Sequence, residues 1–552
     1  MHRTLPAVAA VAAAWILLAP AGAMAAPCPA GAAEEQVRVG DLALAAGDWP
    51  LAATSWACAA LASPDSGIAA RATRIAHEHA QLRDAERSAR RWLALEPDRE
   101  EPRRFLAITL LRLHQDGQAA GEFRVLLDTA YTERSQGYAA LLEILAGERN
   151  DTGAARVIET LAREDEGIAE AQYARSVLWQ QADDGSRALE AAERALQLKP
   201  GWRMAELARV RALLLLGRDD EGFASAAALA GDGDPLSRLN QGWLLLGAGR
   251  EDEARAVFES LQRENVAGQQ ALEGLGSVAY AQRDYGEATR HFAELAQSSR
   301  GNETALALLG VIADEQGEPA LALRYLERVG TGPRAVASQL RAYRLMTQLG
   351  LPERAELVLA DFLEQSPGSA RDLVAGRATQ LAEQGRGDAA VALVDRALSL
   401  YPDDDDLRLS KAFVLERLDR VPEAVRVMRD VLERRPEDPT VLNSLGYTLL
   451  DRTRSVKEGY ALVERAAAYK PDNYAIMDSL GWGLYRLERR DEALAWLQRA
   501  WERSEDPEVA AHLGEVLWES GRHDEARDLW RLAQEKAPDN RSLRRVLERY
   551  RD

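Results

Sequence analysis

The stretch PEVAAHLGEVLWESGRHDEARDLWRLAQEKAP, from Pro507 to Pro538, decides the fold of this chain. Apolar and small residues recur in it at helical spacing twice, once before and once after Gly521. Glycine interrupts such a pattern and proline cannot continue a helix, so Gly521 marks a turn and Pro538 marks an end. The stretch therefore predicts two amphipathic helices joined by a tight turn.

The same unit recurs along most of the 552-residue chain. A small residue opens the second helix of each copy, and successive copies are about 34 residues apart. A second series of small residues, including Gly446, Gly481 and Gly514, recurs in the first helix. Two helices that pack closely need a small residue on each, so the two series predict an all-α chain of stacked helix pairs. The positions in the second helix are Ala52, Ala85, Ala119, Ala154, Ala188, Gly222, Ala254, Ala288, Ala322, Ala355, Ala390, Ala424, Gly459, Ala493 and Ala526.

This period and these residue types resemble the tetratricopeptide repeat family. The resemblance implies a right-handed superhelical solenoid of about 15 helix-turn-helix repeats, each packed only on its neighbours. The pattern weakens at residues 130–235, where we expect degenerate copies. The predicted segments are a signal peptide (1–25), a loose segment (26–33), N-terminal repeats (34–235), C-terminal repeats (236–540) and a capping helix (541–552).

The first 25 residues have the features of a secretory signal peptide. Arg3 gives the positive start, and the apolar run that follows is too short for a permanent membrane anchor. Ala23, Met24 and Ala25 form a small-x-small cleavage site. We therefore expect export to a bacterial periplasm, with association with the outer membrane left open.

Cys28 and Cys58 are the two cysteines of the chain. Cys58 falls near the end of the second helix of the first repeat, beside the start of the antiparallel first helix, which Cys28 precedes. In an oxidising compartment this placement predicts a disulfide that closes a loop of about 30 residues. Two free thiols and lipidation of Cys28 are the alternatives. Pro27 disfavours lipidation, because that processing normally needs a small residue directly before the cysteine.

The net charge of −19 argues against binding to nucleic acid or to anionic lipid. It is typical of a solvated surface, and an acidic groove for basic peptides is the alternative. The sequence contains no Walker loop, dinucleotide fingerprint or nucleophile elbow, and no combination of nucleophile, base and orienting group. We therefore predict a non-enzymatic protein that needs no cofactor.

Two local clusters could suggest metal ligands. His77 and His79 are two residues apart, and on a helix such side chains point about 200° apart, so they cannot share an ion. We interpret them as surface histidines. The run Asp403–Asp406 lies where a helix begins, and negative charge is favourable there. A calcium site is the alternative for this run, but the sequence predicts no metal centre.

In the tetratricopeptide repeat family the first helix of each repeat lines a concave groove. The resemblance therefore implies groove-facing side chains at equivalent positions of the repeats, where aromatic residues gather in the C-terminal copies. Such side chains offer rigid contact area to a partner, and packing between adjacent repeats is the alternative. The predicted partner-binding residues are Trp243, Tyr280, Phe413, Asn443, Tyr447, Asp478, Trp482, Tyr485, Arg486 and Trp518.

Three blocks together resemble a narrower group: NSLGYTLLDRT at 443–453, PDNYAIMDSLGWGLYRL at 471–487 and DPEVAAHLGEVLWESGRHDEARDLW at 506–530. These are bacterial envelope repeat proteins similar to the outer-membrane lipoprotein adaptor of carboxy-terminal processing proteases. The resemblance implies protein partners, namely a periplasmic protease and the peptidoglycan hydrolases that it degrades. The alternative function is a component of an envelope polysaccharide or export assembly complex.

Overall fold

A computed structural model describes Cys28 and residues 32–231, 233–298, 302–330, 332–365, 369–538 and 540–550. The predicted signal peptide lies outside the described residues, as does most of the predicted loose segment. The chain divides into two compact units. The smaller unit is Met1–Leu126 with Leu400–Asp403, and the larger unit is Leu127–Ser399 with Asp404–Asp552.

The described residues form 31 α-helices and no strand. Helices α1 to α30 form 15 consecutive pairs, which we number repeats 1 to 15, and α31 follows the last pair. The predicted all-α architecture of stacked helix pairs with a capping helix is confirmed. No helix in the described ranges has the length and apolar character that crossing a membrane requires. The first twelve helices are α1 (Ala33–Ala46), α2 (Trp49–Ala62), α3 (Ser66–Glu78), α4 (Leu82–Leu95), α5 (Glu100–Arg112), α6 (Asp116–Thr129), α7 (Arg134–Ala146), α8 (Asp151–Glu164), α9 (Ala169–Gln181), α10 (Gly185–Leu198), α11 (Arg203–Leu215) and α12 (Asp219–Ala230). The next ten are α13 (Pro235–Gly247), α14 (Glu251–Arg263), α15 (Gly268–Ala281), α16 (Tyr285–Ser298), α17 (Glu303–Glu315), α18 (Pro319–Leu326), α19 (Ala335–Gln348), α20 (Pro352–Gln365), α21 (Ala370–Glu383) and α22 (Gly387–Leu400). The last nine are α23 (Asp405–Arg417), α24 (Val421–Arg434), α25 (Pro439–Arg452), α26 (Val456–Tyr469), α27 (Tyr474–Arg486), α28 (Arg490–Arg503), α29 (Pro507–Glu519), α30 (His523–Lys536) and α31 (Arg541–Arg549).

Local sequence sets where these helices begin and end. Asn473 and Asp506 lie just before α27 and α29, and each side chain accepts a hydrogen bond from a backbone N–H of the first turn. Gly521 lies between α29 and α30 with φ of 80°, a left-handed conformation that side chains disfavour. The turn that the sequence predicts at Gly521 is thus present.

Small residues let the two helices of a repeat approach closely. In repeat 13, a Cβ added to Gly446 on α25 would lie 2.9 Å from the backbone oxygen of Gly459 on α26. The reverse substitution at Gly459 would place a Cβ 2.7 Å from the backbone oxygen of Gly446. Neither backbone can move aside without separating the helices, so both series of small residues mark helix crossings.

The weak region at residues 130–235 still forms helix pairs, since α7 to α12 fall within it. At the other end, α31 places Leu543 and Val546 in the apolar cluster of α29 and α30, where both are buried. The predicted capping helix therefore covers the apolar face of repeat 15, as terminal repeats require.

Candidate functional site

A cavity of about 870 Å³ opens in the larger unit, lined by side chains of α21, α23, α25, α29 and α31. Phe413 on α23 is its exposed aromatic residue, with 44% of its surface accessible. Around Phe413 the lining carries charges of both signs, which suits a peptide better than a single anion or cation. The charged lining residues are Glu416, Arg417, Asp451, Arg452, Glu508, Arg544, Arg545 and Glu548.

A second cavity of about 430 Å³ adjoins the first, because Asp451 and Arg545 border both. Its wall includes side chains of α27, α29 and α31. We call the two cavities together the C-terminal groove. The other residues of the second cavity are Trp482, Tyr485, Arg486, Glu515, Val546 and Arg549.

A buried polar network lies beneath this groove and joins the first helices of repeats 13, 14 and 15. His512 on α29 is 2% exposed, and its Nδ1 lies 2.9 Å from Oδ2 of Asp478 on α27. Its Nε2 lies 3.4 Å from the hydroxyl of Tyr447 on α25, and that hydroxyl donates to Oε1 of Glu508 at 3.1 Å. The ring of Trp482 stacks on His512 with centroids 4.4 Å apart. Three successive repeats are thus tied through one imidazole.

The charges in this network favour a protonated His512. Burial opposes the cation, but the charge and hydrogen bond of Asp478 outweigh burial and raise the pKa of His512 above its ordinary value. With both ring nitrogens protonated, His512 donates to Asp478 and to Tyr447, whose own hydroxyl donates to Glu508. Burial, reinforced by the charge of Glu508, raises the pKa of Tyr447, which therefore keeps the proton that this chain of hydrogen bonds needs.

Glu416 adds a partly buried carboxyl group to the wall of the larger cavity. Burial raises the pKa of Glu416, although its Oε1 accepts a hydrogen bond of 3.0 Å from the hydroxyl of Thr448. This group is therefore a hydrogen-bonding site that is sensitive to the charge of whatever enters the groove.

The comparison with known families agrees with this geometry. Family models described as tetratricopeptide repeat match residues 239–303, 274–336, 381–445 and 419–537. Residues 239–336 and 381–537 therefore carry tetratricopeptide repeats. A TPR repeat-containing protein of Pseudomonas aeruginosa is 33% identical over 207 residues, which is 38% of this chain and 35% of that protein. The chain thus matches about a third of the length of that relative.

Solved structures of repeat proteins also resemble this chain. A thermophilic TPR protein of Thermus thermophilus is 27% identical, with a TM-score of 0.29, covering 32% of this chain and 98% of its own. Yeast Tom70 is 13% identical with a TM-score of 0.36 and covers 94% of each chain. The hetero-tetramer Cut9–Hcn1 is 14% identical with a TM-score of 0.32, covering 94% of this chain and 96% of its own.

Half of the predicted partner-binding residues line the C-terminal groove: Phe413, Tyr447, Trp482, Tyr485 and Arg486. Trp482 contributes little surface to the groove, because it is 5% exposed. Nη1 of Arg486 donates to the backbone oxygen of Leu450, so part of its hydrogen-bonding capacity is used within the tetratricopeptide repeats.

The expectation that Asp478 faces an open groove is wrong. Its carboxylate is buried and paired with His512, because the equivalent position of the next repeat supplies a cation. Asp478 therefore holds repeats together and offers no free oxygen to a partner.

The remaining predicted residues line neither of the two cavities. Trp243 packs against Phe258 with ring centroids 5.2 Å apart. The Tyr280 hydroxyl donates to Glu315 at 2.7 Å. Asn443 is half-buried on α25. Trp518 packs against Trp530 and Tyr550, with ring centroids 5.8 and 5.4 Å away. Packing between helices thus accounts for Trp243 and Trp518.

In the smaller unit the structure joins Cys28 to Cys58 by a disulfide, with Cα atoms 5.3 Å apart. The interpretation of His77 as a surface histidine is wrong: it is half-buried edge-on against Phe105, and burial lowers its pKa to about 4. His79 stacks on Trp49 with centroids 4.1 Å apart. Both histidines therefore pack against aromatic rings.

The aspartate run forms ion pairs and a helix cap. In the larger unit, Asp404 accepts a hydrogen bond from the backbone N–H of Leu407 and so caps α23. Asp405 is buried and pairs with arginines, including Arg408 at 2.9 Å. Within the described residues no group of three or more His, Cys, Asp or Glu side chains is arranged to hold a metal ion.

Sequence reasoning missed His512 and Glu508, which complete the network with Asp478 and Tyr447. A signal for His512 was present, because it lies 34 residues after Asp478. Residues one period apart occupy equivalent positions on adjacent first helices, so an aspartate and a histidine at this spacing predict an inter-repeat pair.

Proposed function

We propose that this protein is a non-enzymatic periplasmic scaffold that binds partner proteins in its C-terminal groove. The observation that carries the proposal is the groove itself, which first helices of several repeats and α31 line with an exposed Phe413. Tetratricopeptide repeats indicate protein interaction as the general role.

The chemistry of the groove favours an extended segment of a partner protein. Its larger cavity of about 870 Å³ lies at the upper end of the range typical of ligand sites, which is roughly 300–1,000 Å³. Phe413 can pack against an apolar side chain of that segment, while Arg545 and Glu548, which line the same cavity, can bind charged groups. The network of His512 and Asp478 fixes the helices beneath, so a partner meets a surface that is already ordered.

The finer proposal is an adaptor that brings a carboxy-terminal processing protease to peptidoglycan hydrolases. The residue pattern at 443–453 and 471–487 supports it, and both blocks supply residues of the groove. The leader pattern and the disulfide between Cys28 and Cys58 support export, because disulfides persist in oxidising compartments.

Affinity capture with matched variants tests the proposal. The protein without residues 1–25 is immobilised, bacterial envelope extract is passed over it, and retained proteins are identified by mass spectrometry. Phe413→Asp places a charge in the groove, whereas Leu357→Asp alters a 67% exposed leucine on α20 that lines neither cavity.

Partners that Phe413→Asp loses and Leu357→Asp retains would support binding in the groove. A protease together with cell-wall hydrolases among them would support the adaptor. Subunits of an export or polysaccharide assembly machine would favour that alternative, and equal capture by all three proteins would refute binding in the groove.

A further inference from the structure

Within the larger unit, the turns of repeats 4 to 6 contact segments of repeats 11 to 14. The clearest contact is a bidentate pair in which Nη1 and Nη2 of Arg149 donate to Oδ1 and Oδ2 of Asp372, each at 2.7 Å. These residues are 223 positions apart, so the contact joins distant parts of the repeat array. Repeats otherwise contact their neighbours, which makes such a pairing unusual for a solenoid.

A residue of α8 makes two further long-range contacts. Arg156 donates to the backbone oxygen of Glu437 at 2.9 Å, and its guanidinium lies 4.8 Å from the ring centroid of Tyr469. Glu437 lies just before α25 and Tyr469 ends α26, so this single arginine contacts both ends of repeat 13.

The α9–α10 turn makes further long-range contacts of this kind. Ser186 donates to Oδ2 of Asp472 at 2.6 Å, and Asn473 donates to Asp183 at 3.1 Å. At the end of α28, Arg503 donates to the backbone oxygen of Leu215, the last residue of α11, at 2.8 Å. We call this set of contacts, from Arg149 to Arg503, the seam.

The seam is polar, and most of its hydrogen bonds are exposed. The Arg149 and Asp372 side chains are 47% and 48% accessible. The apolar clusters described around repeats 9 to 15 contain no residue of repeats 4 to 6. Exposed ion pairs contribute little in water and are screened by salt. Polar contacts of this kind form and break more readily than the apolar interfaces between neighbouring repeats.

The seam also acts on the repeats that form the C-terminal groove. Asp372 lies on α21, and Glu437, Asp472 and Asn473 lie at the two ends of repeat 13. Helices α21 and α25 line the larger cavity, so the seam restrains the curvature of the repeats around it. Solenoid curvature arises from small rotations between repeats, and releasing this restraint allows the groove to widen.

We propose that the seam is an electrostatic latch that opens to admit a partner to the C-terminal groove and closes afterwards. The role of the latch in partner binding rests on the proposed function, but its opening and closing can be measured without any partner.

The experiment measures a distance across the seam by double electron–electron resonance. Spin labels are attached through Thr160→Cys on α8 and Ala468→Cys on α26, two exposed positions near the contact of Arg156 with Tyr469. The native cysteines are joined in a disulfide and do not react. Distances are recorded from about 0.01 M to about 1 M ionic strength, where the Debye length falls from about 30 Å to about 3 Å.

A latch predicts one short distance at low salt and a growing long-distance population as salt rises. Arg149→Asp combined with Arg156→Asp should show the long distance already at low salt, and adding Asp372→Arg should recover part of the short one. Arg354→Asp is the matched control, because Arg354 is 52% exposed and pairs with Glu327 directly after α18, away from the seam, so this variant should behave as wild type.

Three results would overturn the latch. A short distance in wild type at every salt concentration would make the seam a permanent clamp. A long distance throughout would mean that the seam does not close. Identical distances in wild type and in the charge-reversed variant would mean that these arginines do not hold it. Because no partner enters the measurement, each failure is distinct from a failure of partner binding.

Discussion

The pair between Asp478 and His512 should be the main polar tie between repeats 14 and 15, and Asp478→Asn tests this. The atoms lie 2.9 Å apart, and the side chains are 8% and 3% exposed. Removing one partner of a buried pair typically costs about 3–5 kcal/mol. An unpaired His512 can lose its proton instead of remaining charged, so we expect the lower end of this range, about 3 kcal/mol.

In an array of repeats the loss should be local. Hydrogen exchange followed by mass spectrometry should therefore show it in α29 to α31 and leave repeats 1 to 10 unchanged. Since about 1.4 kcal/mol is a tenfold change in an equilibrium constant, exchange of α29 should accelerate about 100-fold.

Asp524→Asn is the matched control, because Asp524 is 95% exposed and pairs only at the surface with Arg527. It should change exchange very little. If Asp478→Asn behaves like this control, the buried pair does not hold repeats 14 and 15 together, and the reasoning is refuted.

The remaining predictions concern pH, the disulfide and helix packing. The pKa of His512 is raised above its ordinary value of 6.5. The stabilisation that its pairing with Asp478 provides is therefore full below pH 6.5 and is lost as the pH rises through the raised pKa. In the wild-type protein, the protection of α29 from hydrogen exchange, corrected for intrinsic exchange rates, should fall over that pH range. His512→Gln should remove this pH dependence, and a flat wild-type profile would contradict the prediction. Replacing Cys28 and Cys58 by alanine should destabilise repeat 1 by about 3–4 kcal/mol, seen as faster exchange of α1 and α2, and reductant should then have no further effect. Gly446→Ala should destabilise repeat 13 by about 1–3 kcal/mol by forcing two backbones apart. Gly121→Ala on α6, where a Cβ meets nothing within 4 Å, should stabilise that helix by about 1 kcal/mol. Equal changes in unfolding free energy for the two glycine variants, measured by urea titration, would disprove the packing argument.

The fold could be predicted from the sequence because each repeat is specified locally. Gly446 and Gly459 mark a helix crossing, Gly521 marks a turn, and the same residue types return about every 34 positions. A pattern repeated this often leaves little ambiguity about helix pairing. The capping role of α31 followed in the same way from its one apolar face.

The site could be predicted only in part, because repeat position does not determine exposure. Phe413 and Tyr485 line the C-terminal groove, and their role in partner binding stays a prediction, whereas Asp478 is buried, since its neighbour one period later is a histidine. The seam could not be predicted at all. Its pairs, such as Arg149 with Asp372, depend on rotations that accumulate over several repeats, and no local pattern records that sum.

The central claim is that partner proteins bind in the C-terminal groove, and site-specific photo-crosslinking tests it most directly. A photoreactive phenylalanine analogue replaces Phe413 in one protein and Leu357 in another, and each is irradiated in envelope extract. Our account predicts discrete crosslinked proteins from position 413 and none of these from position 357. Crosslinks to the same proteins from both positions, or from position 357 alone, would contradict binding in the groove.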